Sequence, residues 1–169
     1  RGYTFKSDTD TEVLINLIEE VKKNEKCKLG KAVQIALNQV VGAYAIAVID
    51  VEKPDEIVVA RLGSPLALGI GEDEYFIASD ASPFIEYTSN AIYLEDEEMA
   101  IVRLHKPIKV RKIKDDSLVD PYIQELQMNL EQIEKRVKNR FCFSFGDKGL
   151  NMHLKYFLNK NFLDPSKYE

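Results

Sequence analysis

At Gly42 the hydrophobic period of this chain changes, and that change limits the fold more than any other feature. Before it, Leu14, Leu17, Ile18 and Val21 recur at helical spacing, with Glu19, Glu20, Lys22 and Lys23 between them. Such a stripe marks an amphipathic helix. The spacing predicts helices over about 10–23 and 28–40, the second burying Leu29, Val33, Leu37 and Val40 and stopping at Gly42. After Gly42, short apolar runs at 43–50, 57–61, 66–70, 75–78, 92–94, 99–104 and 108–113 alternate with turn residues and read as strands. The first of these is too apolar for simple alternation, so it is expected to be a central strand buried on both faces. Lys53-Pro54-Asp55 reads as the turn that joins it to the next strand. The run 108–113 alternates apolar residues with Lys and Arg and is expected at a sheet edge. Asp80 to Glu86 reads as a helical turn. A further helix is predicted from Asp120-Pro121, with Ile123, Leu126, Leu130 and Ile133 on one face. Residues 136–169 carry no clear period and read as short helices or disorder. The fold class is therefore α/β, with a helical C-terminal appendage.

A chain of 169 residues, 45% hydrophobic, is sized for one domain. A net charge of −5 with no Lys/Arg block argues against nucleic acid, because phosphate neutralisation dominates that affinity. No apolar run approaches the ~20 residues that span a bilayer. The start of the chain has a Gly-Tyr-Thr strand pattern rather than the charged-then-apolar order of a signal peptide. Cys27 and Cys142 have no metal-ligand spacing. Two thiols in a reducing cytosol are expected in preference to a disulfide.

Chemistry concentrates in Ser7-Asp8-Thr9-Asp10-Thr11-Glu12, three hydroxyls and three carboxylates in six residues. Thr9 is a natural N-cap, and Asp10 and Glu12 suit the positive end of a helix. The same cluster sets an acid where a ligand's ammonium group can be held. A calcium loop beginning at Asp8 would need Gly where Val13 stands, so that reading fails. Gly63-Ser64-Pro65-Leu66 and Gly69-Ile70-Gly71 flank strand-like residues, and no Lys-Ser/Thr follows, so these glycines read as turns rather than a phosphate cradle. Ser79, His105 and His153 have no partners at nucleophile–base spacing.

The order of segments adds more than any single motif. Arg1-Gly2-Tyr3-Thr4-Phe5, the 7–12 cluster, two helices, Gly42-Ala43-Tyr44-Ala45, Ala60-Arg61-Leu62-Gly63-Ser64-Pro65-Leu66, Phe76-Ile77-Ala78-Ser79-Asp80 and Tyr93-Leu94-Glu95-Asp96 follow one another at characteristic spacing. This series resembles the later part of the glutaminase domain of the glutamine–fructose-6-phosphate aminotransferases, a family of class II glutamine amidotransferases. The resemblance runs from Arg1 to about Lys135. Within it, Asn129-Leu130-Glu131-Gln132-Ile133-Glu134-Lys135 looks like the segment that leads to the linker before a sugar-isomerase domain. Amidophosphoribosyltransferases share the helix–strand order but carry a different sequence where this chain has Arg61 to Leu66.

The resemblance implies a partial α/β/β/α sandwich of the N-terminal-nucleophile hydrolase type. It implies transfer of the glutamine amide nitrogen to fructose 6-phosphate, giving glucosamine 6-phosphate. In that family a processed N-terminal cysteine attacks the amide, its own α-amine acts as base, and an Asn-Gly pair supplies oxyanion donors. None of these is matched in this chain, whose Cys27 and Cys142 are not N-terminal, so no catalytic residue is carried over and the chain alone is expected to be inactive. One contact is carried over: the acid that holds the α-ammonium of L-glutamine is Asp10, through a charge-assisted bond that selects an amino acid over a plain amide. No metal, nucleotide or pyridoxal is implied. The implied partners are L-glutamine, a sugar-isomerase domain and further copies of the same protein in the cytoplasm. The implied organisation is a glutaminase part over 1–115, a helix leading to the linker over 116–135, and a tail over 136–169 that is either divergent or read in a changed frame. The alternatives are a non-catalytic amino-acid-binding or regulatory module on the same scaffold, or part of another class II amidotransferase such as an amidophosphoribosyltransferase.

Overall fold

The computed structural model describes residues 2–127, 142–146 and 149–153. Two helices come first, α1 (Asp10–Asn24) and α2 (Leu29–Leu37). Nine strands follow up to residue 127: β1 (Tyr44–Asp50), β2 (Lys53–Leu62), β3 (Ala67–Ile70), β4 (Glu74–Ala78), β5 (Asn90–Tyr93), β6 (Glu98–Arg103), β7 (Lys106–Lys112), β8 (Leu118–Val119) and β9 (Gln124–Glu125). A hairpin of β10 (Cys142–Gly146) and β11 (Gly149–His153) completes the described elements. One sheet has the order β1-β2-β6-β7-β8 and the other β11-β10-β4-β3-β5-β9. Every strand pair is antiparallel, so hairpins rather than helical crossovers build both sheets.

The core falls into three parts, and these define the layers. Ile18 and Val21 of α1 and Leu29, Val33 and Leu37 of α2 pack on Val48, Val58, Ala60 and Met99 of the first sheet. On that sheet's other face, Ile57, Val59, Ala100, Val102 and Val110 meet Leu66, Leu68, Ile77, Ile92 and Phe145 of the second. Alternation along each strand turns successive side chains to opposite faces, which is why Val58 and Val59 serve different cores. The second sheet's outer face carries Ala67, Phe76, Ala78 and Ala91, covered by Ala81 and Phe84. Gly69 sits in β3 because the Phe84 ring lies against it: a Cβ there would meet Phe84 Cδ2 at 2.8 Å. Phe84 in turn stacks on Phe76, with ring centroids 5.9 Å apart. The described molecule is thus helix layer, sheet, sheet, with a turn segment over the far side.

Both predicted helices form on the predicted faces, but α2 ends at Leu37 rather than Val40. Its end is tied down by Gln34 Nε2 and Asn38 Nδ2, which donate to the Ile113 carbonyl at 2.6 and 2.8 Å. Gly42 therefore does not cap the helix. It has φ +126° in the extended lead into β1, a backbone state that favours glycine. Asp80 to Glu86 forms turns, with the Phe84 and Ile85 N–H groups bonded to the Ala81 carbonyl.

Five expectations need correction. The first strand, β1, is at an edge of its sheet, not at its centre. Its Ile46 and Val48 face the helices, whereas Ala45, Ala47 and Ile49, in register with Arg61, Val59 and Ile57, are exposed. The apolar run thus reflects two apolar faces, of which only one is covered. Lys53-Pro54-Asp55 opens β2, and the turn is Val51-Glu52. The run 108–113 has the expected wet face, but the two-residue β8 pairs beside it. The helix predicted from Asp120 is absent through residue 127, where β9 joins the second sheet at Asn90 and Ala91. Its remainder, 128–135, lies outside the described residues. Within the tail, 142–146 and 149–153 are strands rather than helices, and β10 pairs with β4.

Candidate functional site

The acidic turn is built by one side chain folding back on the chain. Thr9 holds the N-cap position at φ −91° and ψ 141°, but its hydroxyl makes no cap bond. Glu12, three residues on, does the work instead. Its Oε1 accepts the Lys6 N–H at 2.8 Å, and its Oε2 accepts the Ser7 N–H at 2.6 Å and the Ser7 hydroxyl at 2.5 Å. Ser7 Oγ also meets Thr9 Oγ1 at 2.8 Å. The Ser7 hydroxyl, followed by the Lys6 N–H, holds the Glu12 carboxyl below its ordinary range. Thr9-x-x-Glu12 is the sequence signal of a capping box, but here Glu12 reaches past the Thr9 N–H to Ser7 and Lys6, and the box does not form. Residues 2–5, expected as an extended run, form no strand.

Asp10, the residue singled out for the α-ammonium, stands exposed in the first helical turn. Among the described residues its carboxylate has a single partner, the Thr11 hydroxyl at 3.5 Å, the outer limit of such a bond. Three acids in one turn therefore behave differently. Glu12 is saturated, while Asp8 and Asp10 hold little or nothing.

Beside the turn, α1 and β1 enclose a cleft of about 640 Å³. Ser7, Thr9 and Thr11 give it a polar wall, and Leu14 and Ile18 of α1 with Ile46 and Val48 of β1 an apolar one. Asp10 is next to this wall in sequence but is not among its lining residues. The far end of α1 is fastened to β1 by Lys22, whose Nζ lies 2.5 Å from Asp50 Oδ2 and 3.5 Å from Glu52 Oε2. The Lys22 ammonium lowers the Asp50 carboxyl and is itself raised by that bond.

A second motif segment closes the same end of the sheet. Tyr44, the first residue of β1, pairs with Leu62 and bridges to Gly63. There Arg61 Nη2 meets Asp96 Oδ1 at 2.6 Å, Arg61 Nη1 donates to the Leu94 carbonyl at 2.8 Å, and Asp96 Oδ1 accepts the Gly63 N–H at 2.8 Å. The Gly63 N–H and then the Arg61 guanidinium hold the Asp96 carboxyl low. The two segments lie 33–35 residues apart, and the structure brings them into one brace. Gly63 fits there with φ +70°, a Cβ on it meeting Ala43 Cβ at 3.0 Å.

Cys27 is a free, half-buried thiol in the α1–α2 turn. The fifteen residues of α1, at 1.5 Å each or roughly 22 Å in all, separate it from the acidic turn. The side chain of Cys142 and the whole of His153 beyond its strand backbone lie outside what is described. His105 occupies the β6–β7 turn at φ +55°. Among the described residues no three His, Cys, Asp or Glu side chains are grouped to hold a metal, and no helix is long and apolar enough to cross a membrane.

A family model described as a glutamine amidotransferase domain matches residues 1–86, about half of the chain. A glutamine–fructose-6-phosphate aminotransferase (isomerizing) of Bacteroides thetaiotaomicron is 50% identical over 135 residues, covering 80% of this chain and 22% of that protein. Proteins of the same name from Chlorobaculum tepidum and Thermococcus kodakarensis are 47% and 42% identical, over 79% and 80% of this chain and 22% of each relative. The chain thus spans about a fifth of the length of the curated relatives it matches.

Proposed function

Because this chain belongs to the glutamine amidotransferase domain family, we propose that it is the later part of a glutaminase domain whose α1 N-terminal turn receives L-glutamine. The observation that carries this reading is the division of labour among the acids of that turn. Glu12 is consumed in shaping the loop, which leaves Asp10 to accept a charged donor from outside. A carboxylate at a helix start is stabilised in its charged form. Its bond to an ammonium group is charge-assisted at both ends and distinguishes an amino acid from a simple amide. The relatives' name extends the proposal: the complete protein moves the amide nitrogen of glutamine to fructose 6-phosphate.

On this reading the amide is attacked by a processed N-terminal cysteine supplied by another part of the gene product. Cys27 is not that nucleophile, given its place at the opposite end of α1. The finer architecture we propose is the α/β/β/α sandwich of the N-terminal-nucleophile hydrolases. The three observed layers and the uncovered Ala45, Ala47 and Ile49 of β1 support it, since further strands would bury that face. We also propose that a sugar-isomerase domain follows in the same cytoplasmic polypeptide, which assembles as a homo-oligomer.

The test uses the full-length gene product. Asp10→Asn should raise KM for glutamine by about tenfold or more, the worth of one charge-assisted bond. Synthesis driven by free ammonia should not change. Equal KM values in the two proteins would remove Asp10 from the glutamine site. Glutamine binding without glutamate release in the wild-type protein would point instead to a non-catalytic amino-acid module.

A further inference from the structure

One groove among the described residues gathers basic side chains against the chain's acidic balance. Where α2 stops covering the first sheet, a groove of about 340 Å³ opens over β6 and β7. Its floor is apolar, made by Met99 and Ile101. Its rim gathers Lys28, Lys31, Arg103, Lys109 and Arg111, with only Glu56 and Asp116 against them. Five cations face two carboxylates in a chain whose net charge is −5.

The two acids are already committed. Glu56 pairs with Arg103. Asp116 is shared by Lys31 at 3.3 Å and Arg111 at 3.1 Å, and Lys31 also donates to Gln34 Oε1 at 2.9 Å. These pairs fix three of the cations around the groove. Lys28 and Lys109, both exposed, have no side-chain partner among the described residues. Two unpaired ammonium groups thus line the hollow, one from the N-cap of α2 and one from β7. A groove lined by one sign of charge concentrates counter-ions, and guanidinium and ammonium groups together suit phosphate oxygens.

We infer that this groove binds a phosphate group, free or carried on a small ester, through Lys28 and Lys109 with Arg103 and Arg111 behind them. The inference is independent of the glutamine reading, since the groove shares no lining residue with the α1–β1 cleft. A duplex nucleic acid is a poor occupant, because a single 340 Å³ hollow on an acidic chain offers no extended basic track.

Amide NMR titration of this chain tests it, with inorganic phosphate, pyrophosphate, a hexose 6-phosphate, sulfate and a short DNA duplex as separate arms. Pyrophosphate or the ester should produce saturable shifts at Gly30, Ile101 and Arg103. The relative strength of the free-phosphate and ester arms identifies the source. Lys28→Ala/Lys109→Ala should weaken that binding by about tenfold or more, with far-UV circular dichroism unchanged. Lys114→Ala, an exposed lysine outside the groove, should leave it intact. The inference is overturned by a lack of saturation at millimolar ligand, by equal response to sulfate, by equal weakening in Lys114→Ala, or by shifts with the duplex alone.

Discussion

Two carboxylate-centred structures lie at the same end of the first sheet, and they are built to opposite ends. In the Arg61–Asp96 brace, both Arg61 Nη groups, the acid, the Gly63 N–H and the Leu94 carbonyl bond one another, while Arg61 Nε stays buried without a partner. In the α1 turn, Glu12 is equally saturated, but its neighbours Asp8 and Asp10 are left almost unbonded. The brace is closed chemistry that holds a loop. The turn is half closed, and the open half faces solvent beside a cleft. A polar group that the fold has already used contributes to shape, whereas one that the fold leaves unused has bonding capacity for a ligand.

Removing the brace should have the largest effect on the fold. Arg61→Ala takes away a charge-assisted bond to Asp96 and a donor to a carbonyl, and should cost about 1–3 kcal/mol. A urea titration of the chain reads this as a lower midpoint at unchanged slope. If the midpoint stays, the brace is surface decoration and the contrast between the two sites is lost. Asp10→Asn should behave in the reverse manner. With only the Thr11 hydroxyl to lose, its urea midpoint should match the wild type while glutamine affinity falls. A clear loss of stability in Asp10→Asn would show that this acid also belongs to the fold.

Sequence patterning reached the local parts of this picture and stopped at the non-local ones. α1 was legible because Leu14, Leu17, Ile18 and Val21 repeat with the helical period, and that period is a property of neighbouring residues. The edge position of β1 was not legible. An apolar strand reads the same whether a second layer covers it or not, and sheet order depends on strands that arrive later in the chain. The Asp120 helix failed for a related reason. Pro121 and the spaced apolar residues fit a helix start, but the Leu126 N–H finds the Ser89 carbonyl at 2.7 Å, a sheet-edge bond invisible at short range. Asp10 came forward through resemblance rather than through physics, since acids near a helix start are common. Arg61 and Asp96 lie in two separate motif segments, and only the fold pairs them.

Acid titration sharpens the comparison at smaller amplitude. Glu12 is held below its ordinary range in the folded chain. Its contribution is therefore complete above the unfolded carboxyl value of about 4.3 and is lost as pH falls through the lower folded value. As pH falls from the unfolded value through the lower folded value, stability should drop more steeply in the wild type than in Glu12→Gln, and the two curves should run parallel at neutral pH. Parallel curves throughout would mean that the Ser7 and Lys6 bonds do not discriminate the charged carboxyl.

The smallest expected effect separates position from bulk charge. Asp8 is exposed, carries the same charge as Asp10 and lies two residues before it, outside the helix. Asp8→Asn should leave the urea midpoint unchanged, because among the described residues its side chain has no partner to lose. If the turn attracts an ammonium group only through its summed negative field, Asp8→Asn and Asp10→Asn must raise KM for glutamine equally, and added salt must erase both effects. If Asp10 makes a directed bond from the first turn of α1, Asp8→Asn should change KM by less than about twofold, and the Asp10→Asn effect should persist in salt. Equal, salt-sensitive losses would reduce the acidic turn to an electrostatic patch and leave the glutamine contact to be sought elsewhere in the cleft.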